Sequence, residues 1–419
     1  MAKKLMTALA VLFSLFALSS CASILEGDTL SVTPHKTSPE SEILQSASAP
    51  DVSSYDELKK RILDMIDEHA EEAVFNMAFI DDSDILSNVE RVCRSIAFDN
   101  AYGAYSVYYI NSNVTQIVSY YEVRITINYR HTKSQIDSIV TAYSQRYLRS
   151  TVLAALEEHA AGVSIFTDMS IVTEDYIAEL VRDLYRSNPL TVIALPSVET
   201  EVYTGSGSDR VIDISFRYIY STRLLSSMTL SLNSSVDEYL DNITESTDAI
   251  MLLSLCQKLT DTVYFDIESA ADPSITEQSL PASAYGALVN KRATSEGYAL
   301  AFKVLCDKLG LECAVVDGRY NNSPHFWNIA CIDGSFYHID VSRCDISGYE
   351  SAFLKSDNDI INDYWWDTQN YEACAGKLTY QEIIRSSQQN SNEAGEADQP
   401  SDEPGEDQEE NGDGTDHAD

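Results

Sequence analysis

Apolar residues in the middle of the chain switch from helical to strand spacing and back, and the whole succession occurs twice between about residues 54 and 225. Ile62, Leu63 and Ile66 lie at helical spacing in the first round, Val152, Leu153 and Leu156 in the second. Each of these predicted helices ends in the same three residues, Glu68-His69-Ala70 and Glu158-His159-Ala160. A short strand follows (73–79; 162–165), then a second helix (85–96; 175–187), then two strands. The last strand of each round alternates cleanly: Val123, Ile125 and Ile127 share one face, as do Ile212, Ile214 and Phe216. Gly205-Ser206-Gly207-Ser208 is a hairpin turn and lacks the G-x-S-x-G spacing of a nucleophile elbow. The pattern predicts a duplicated α/β module over 51–235. His69 and His159 recur near helix C-termini, where an imidazolium suits the helix dipole. Neither has a second His or a Cys beside it, so both read as structural.

From Val236 the pattern changes. One helix is predicted over 246–261 and another over Ser295–Leu309, with Ala299, Phe302, Leu305 and Leu309 at helical spacing. Gly310 is a good C-cap for it. Ser295 therefore lies at or next to the helix N-cap, with Glu296 in the first turn. Strands follow over 312–317, 323–330 and 335–341, with a turn at Asp333-Gly334.

The two ends of the chain are different in kind. Lys3 and Lys4 precede an apolar run over 5–18, shorter than the roughly 20 residues that span a bilayer, and it ends in Leu18-Ser19-Ser20-Cys21. This resembles the signal and lipobox of bacterial lipoproteins, which implies a signal peptide over 1–20, an acylated Cys21 held in membrane lipid, and an extracytoplasmic location. Several acyl chains on one cysteine would hold the protein far more firmly than one chain does. Residues 21–50, rich in Ser, Thr and Pro, read as a flexible tether, and 386–419 as a disordered acidic tail. The chain carries Lys+Arg 28 against Asp+Glu 66, a net charge of −38, and the acids are not confined to the tail. Such a surface repels phosphate backbones and anionic headgroups, so no nucleic-acid partner is expected and membrane attachment must be covalent or hydrophobic. After Cys21, the cysteines are Cys93, Cys256, Cys306, Cys313, Cys331, Cys344 and Cys374. None has CxxC spacing, and no metal or other cofactor is expected. Outside the cytoplasm, Cys313–Cys331 and Cys344–Cys374 are candidate disulfides, with buried free thiols the equal alternative.

Three stretches carry candidate chemistry in a fixed order. Ala293-Thr294-Ser295-Glu296-Gly297-Tyr298-Ala299 starts a helix, His325-Phe326-Trp327-Asn328 lies on a strand, and Asp333-Gly334-Ser335-Phe336-Tyr337-His338-Ile339-Asp340 leads through the next one. This succession resembles the bacterial transglutaminase-like superfamily, whose fold is papain-like, over about 240–385. The stretches 353–357 and 364–367 are similar to the end of that family's domain. The resemblance implies an α+β fold, with the duplicated module followed by a transglutaminase-like domain over 236–385. It also implies a nucleophile position at Ser295, a base at His325 and an orienting carboxylate at Asp340. In such a site a cysteine, made acidic by the helix dipole and a histidine, attacks an amide carbonyl, and the histidine protonates the leaving amine. Here the nucleophile position is a serine, far less acidic than a thiol. Cys306 cannot replace it, since it lies about three turns along the same helix, roughly 16 Å away at 1.5 Å per residue. Tyr285 is a candidate oxyanion donor and Trp327 a candidate groove wall, although Trp327, Trp365 and Trp366 serve equally as core; Trp365 and Trp366 cannot both point inward.

The expectation is a catalytically inactive transglutaminase-like lipoprotein that binds a protein, peptide or cell-wall component through the old groove or through the repeat region. The rival is an active serine-dependent amidohydrolase or acyltransferase using Ser295, His325 and Asp340. A structural envelope protein without a small ligand is the third reading.

Overall fold

The computed structural model describes residues 51–78, 84–241, 243, 247–272 and 278–386. The expected signal peptide, the whole of the expected tether and the acidic tail beyond residue 386 lie outside them. Among the described residues no helix is long and apolar enough to cross a membrane.

The fold is α+β. The first α/β unit runs β1 (Asp51–Val52), α1 (Tyr55–Glu68), β2 (Glu72–Ala78), α2 (Ile85–Asp99), a short α3 (Ala101–Ser106), β3 (Val107–Ile117) and β4 (Tyr120–Tyr129). Helix α1 starts where the Ser54 side chain accepts the Glu57 N–H, and it buries Leu58, Ile62, Met65 and Ile66. It stops because His69 adopts the left-handed conformation, φ 58°. The sheet order is β1-β2-β4-β3, with β1 parallel to β2 and the other pairs antiparallel.

The second unit runs β5 (Val140–Thr141), α4 (Gln145–Glu157), β6 (Gly162–Thr167), α5 (Glu174–Ser187), β7 (Ser197–Thr204) and β8 (Arg210–Arg217). Its sheet, β5-β6-β8-β7, has the same order and the same strand directions as the first. His159, at φ 53°, ends α4 as His69 ends α1. The imidazoles are used locally: His69 stacks on Tyr129 at 3.8 Å, and His159 Nδ1 lies 2.9 Å from the Glu157 carbonyl.

Helix α6 (Thr222–Leu240) crosses the boundary expected near residue 235. Its Leu225, Leu232 and Val236 join one continuous core with α4, α5 and the C-terminal elements, whereas the first unit keeps a core of its own. No period distinguished α6 in the sequence because its apolar face is thin among Ser and Thr residues.

The C-terminal part contains α7 (Asp248–Thr262), β9 (Tyr264–Phe265) paired in parallel with β10 (Arg292–Ala293), and α8 (Ser295–Leu309). Helix α8 lies against an antiparallel sheet of order β13-β12-β11-β14, formed by β11 (Cys313–Tyr320), β12 (Ser323–Ile332), β13 (Ser335–Ile339) and β14 (Tyr364–Trp366). Asn328, fully buried on β12, donates from its amide to the Ala299 carbonyl of α8 at 3.0 Å. Gly310 ends α8 at φ 72°. Gly297 is required by close approach: a Cβ there would lie 2.4 Å from the Pro281 carbonyl oxygen.

Neither candidate disulfide forms, and all seven described cysteines are free thiols. Cys313 stands opposite Ala330, so the side chain of Cys331, the next residue, points to the other face of the sheet. Cys344 and Cys374 belong to different apolar clusters.

Candidate active site

Three separate elements deliver the candidate triad. Ser295 is the first residue of α8, after a Thr294 N-cap whose side chain makes no cap bond. His325 is the third residue of β12, and Asp340 follows β13 and caps the helix α9 (Val341–Ser347). Ser295 and His325 are each 9% exposed and Asp340 3%.

Asp340 is the electrostatic centre. One oxygen, Oδ1, accepts the Ser342 hydroxyl at 2.8 Å and the Arg343 N–H at 2.9 Å. The other, Oδ2, accepts His325 Nε2–H at 2.6 Å and the Tyr364 hydroxyl at 2.8 Å. Burial by itself pushes this carboxyl up, but the His325 charge and the hydrogen bonds from His325, Ser342 and Arg343 outweigh it and hold it below its usual range. Burial and the Asp340 charge push the Tyr364 hydroxyl up, so Tyr364 stays a donor. The bond to Asp340 occupies the Nε2 side of the imidazole and leaves Nδ1 on the opposite side of the ring without a bond to Asp340.

Ser295 is the unfinished part. Its Oγ accepts the backbone N–H of Phe326 at 3.4 Å, and no hydrogen bond joins it to the His325 imidazole. The structure thus gathers Ser295, His325 and Asp340 in one place but links only the last two. Tyr285 is half-buried against the core and makes no hydrogen bond to any of the three. Trp327 is core and not groove wall, at 1% exposure. Of the two neighbouring tryptophans Trp366 points inward, and Trp365 is 63% exposed.

Behind the triad lies a second chain. Trp327 Nε1–H donates to His338 Nδ1 at 3.0 Å, His338 Nε2–H donates to Asp357 Oδ1 at 2.9 Å, and the Cys374 N–H reaches Asp357 Oδ2 at 3.2 Å. The candidate ligand atoms of His338, Asp357 and Cys374 lie within 4.8 Å of one another, a spacing that suits a metal ion. The proton placement does not. With Nδ1 accepting from Trp327, a metal on Nε2 would require an imidazolate. Burial, assisted by the Asp357 charge, also pushes the Cys374 thiol up to about 12, away from the thiolate a metal takes. The trio is built as a hydrogen-bond chain.

The second α/β unit also reaches the site. Arg186, from the last turn of α5, lies 5.0 Å over the Phe326 ring, with Nη1 2.9 Å from Asp317 Oδ2 and Nε 3.9 Å from Glu296 Oε1. It borders a cleft of about 1090 Å³ between α5 and β11. Neither Arg186 nor Tyr364 was marked as a site residue by the sequence. Tyr364 lay in a stretch similar to the end of the family's domain, but nothing in that stretch assigned its hydroxyl to Asp340.

Fold and site together define an α+β protein in which a His–Asp pair is held beside a serine at a helix N-terminus. No family model matches the chain, and no curated protein matches it. Among solved structures it is similar to a TGase, with 10% identity and TM-score 0.25 over 52% of this chain and 60% of that one. It is also similar to a candidate cysteine protease from Cytophaga hutchinsonii, with 13% identity and TM-score 0.22 over 35% of this chain and 62% of that one. A candidate protease from Parabacteroides distasonis follows, with 8% identity and TM-score 0.22 over 64% of this chain and 40% of that one. The chain spans less than two thirds of each. Likeness of this size carries no argument about activity, which rests on the residues and distances above.

Proposed function

We propose that the chain is a lipid-anchored, extracytoplasmic protein whose transglutaminase-like domain binds a protein, peptide or cell-wall component without turning it over. The observation that carries the reading is Ser295. A hydroxyl attacks an acyl group only if its proton passes to a base as the bond forms, so the O–H must point at the imidazole. Here no hydrogen bond joins the Ser295 hydroxyl to the imidazole; its recorded contact is the Phe326 N–H, which its oxygen accepts at 3.4 Å. A cysteine in the same place would ionise beside the imidazole without that help. The anchor is supported by Lys3, Lys4, the apolar run and Cys21.

A second reading, a serine-dependent amidohydrolase or acyltransferase, is favoured by the intact pair of His325 and ionised Asp340, which leaves Nδ1 without a bond to Asp340. The native protein and its Ser295→Ala and Ser295→Cys variants, treated with a fluorophosphonate probe and with iodoacetamide, separate the two. Fluorophosphonate labelling of the native protein that disappears in Ser295→Ala would establish the second reading. Rapid alkylation confined to Ser295→Cys, with no fluorophosphonate labelling of the native chain, is the outcome expected here. Cys21→Ala should release the protein from membranes into the soluble fraction; retention would refute the anchor.

A further inference from the structure

Away from Ser295, the two α/β units meet in a second polar site. Ala101 and Tyr105 of the first unit pack with Val211 on the outer face of the second sheet. The junction is pinned on both sides: the Ser206 N–H donates to the Asp99 carbonyl at 2.6 Å, and the Tyr105 hydroxyl lies 3.0 Å from Ser164 Oγ. A cleft of about 300 Å³ opens beside it, walled by residues of β3, β7 and β8 and of the turn after β4.

Charges of both signs face this cleft without neutralising one another. The Arg130 guanidinium lies over the Tyr108 ring at 4.7 Å and the Tyr203 ring at 5.2 Å, and among the described residues no carboxylate comes within ion-pair distance of it. Three carboxylates share the cleft, and each has a partner other than Arg130. Asp213 accepts the Ser164 hydroxyl at 2.7 Å, Glu201 accepts the Tyr203 hydroxyl, and Glu199 lies 3.4 Å from Arg217. In a chain with 66 acids and 28 bases, an arginine kept from three nearby carboxylates is a separation that the fold maintains. The His131 ring, stacked on Tyr105 at 4.0 Å, also borders the cleft, and its Nε2 is buried without a partner.

We propose that this cleft binds a small zwitterion, a free amino acid or a short peptide, with its carboxylate on Arg130 and its ammonium between Glu201 and Asp213. A bare anion would face three carboxylates, and a bare cation would face the guanidinium; a molecule carrying both charges matches both walls. Arg130 offers the planar donor fork that a carboxylate fits, and the Tyr108 and Tyr203 rings beneath the guanidinium hold that fork in place. The volume is at the lower end for ligand pockets, which suits one or two residues and not a folded partner. This site is independent of the chemistry at Ser295.

Titration calorimetry on the full chain, with alanylalanine as the probe and propionate and ethylamine as its two halves, tests the assignment. Alanylalanine should saturate in the millimolar range or tighter, with each half-ligand weaker by about tenfold or more. Arg130→Met, at an exposed position, should weaken the dipeptide by about tenfold with the melting temperature checked alongside, and Glu201→Gln and Asp213→Asn should do likewise. Absence of saturable heat at about 10 mM dipeptide would overturn the proposal. So would propionate binding as tightly as the dipeptide, or unchanged dipeptide binding in Arg130→Met, which would place the ligand elsewhere.

Discussion

Arg186 is the most informative residue to remove, because it is the charged tie between the second α/β unit and the first turn of α8. Its side chain is 14% exposed and that of Glu296 5% exposed, so the pair sits largely out of water. Arg186→Met keeps an apolar stem of similar length and deletes the guanidinium, with its ion pairs and its place over Phe326. Breaking a buried pair from one side costs about 3–5 kcal/mol, since the remaining charge stays desolvated. The lower end applies, because Nε stands 3.9 Å from Glu296 Oε1 and the 2.9 Å contact is to Asp317, which is 48% exposed and can rehydrate. For a folded body of this size, unfolding entropy of about 2 cal/mol/K per residue makes 3 kcal/mol worth roughly 4 °C in melting temperature. Adding Glu296→Gln removes the stranded charge, so the double variant should recover a large part of the loss. Urea unfolding of the two single variants and the double variant measures the coupling. If Arg186→Met loses under about 0.5 kcal/mol, or the double variant shows purely additive losses, the tie is not the pair described.

The remaining predictions concern packing and protonation. Gly297→Ala should destabilise by about 1–3 kcal/mol in urea despite the better helix propensity of alanine, because its Cβ would meet the Pro281 carbonyl at 2.4 Å; a neutral or stabilising effect would contradict the close approach. Burial pushes the His338 imidazole below its ordinary 6.5, and the Asp357 hydrogen bond and charge do not restore it. The unfolded chain therefore binds a proton near pH 6.5 that the folded chain refuses, so stability should fall as pH drops below about 6.5, by up to about 1.4 kcal/mol per pH unit from this group. His338→Gln should remove that part of the slope between pH 7 and 5, and an unchanged slope would show that His338 is not the group responsible. Tyr364→Phe removes one donor to buried Asp340 and should cost about 1–3 kcal/mol, the range for a lost hydrogen bond to a charged group, read by the same unfolding measurement.

How much of this was legible in the sequence follows from how far apart the interacting residues lie. Helix α8, its Gly310 stop and the place of Ser295 at its start depend on neighbours within a few residues, and local periodicity encodes them. The alternation of Val123, Ile125 and Ile127, and of Ile212, Ile214 and Phe216, likewise marked the buried faces of β4 and β8. Ser295, His325 and Asp340 were singled out by the resemblance of three ordered stretches to a family pattern and not by local periodicity. The disulfides were not, because spacing along the chain says nothing about which sheet face a thiol takes; the register of β11 on β12 does. Period two allowed Trp365 or Trp366 to be inside, and only the pairing of β14 with β11 chose Trp366. Tyr364 on Asp340, Arg186 beside Glu296 and the cleft shared by Arg130 and Asp213 join segments distant in sequence, and no local pattern records them. The sequence by itself determined where the strongly periodic elements lie and which face of each is apolar, since these follow from backbone geometry and the hydrophobic effect over short spans, whereas α6 with its thin apolar face escaped it. Tertiary packing alone decided which faces meet, and so it decided that the Ser295 hydroxyl rests under the Phe326 amide while His325 is held by Asp340.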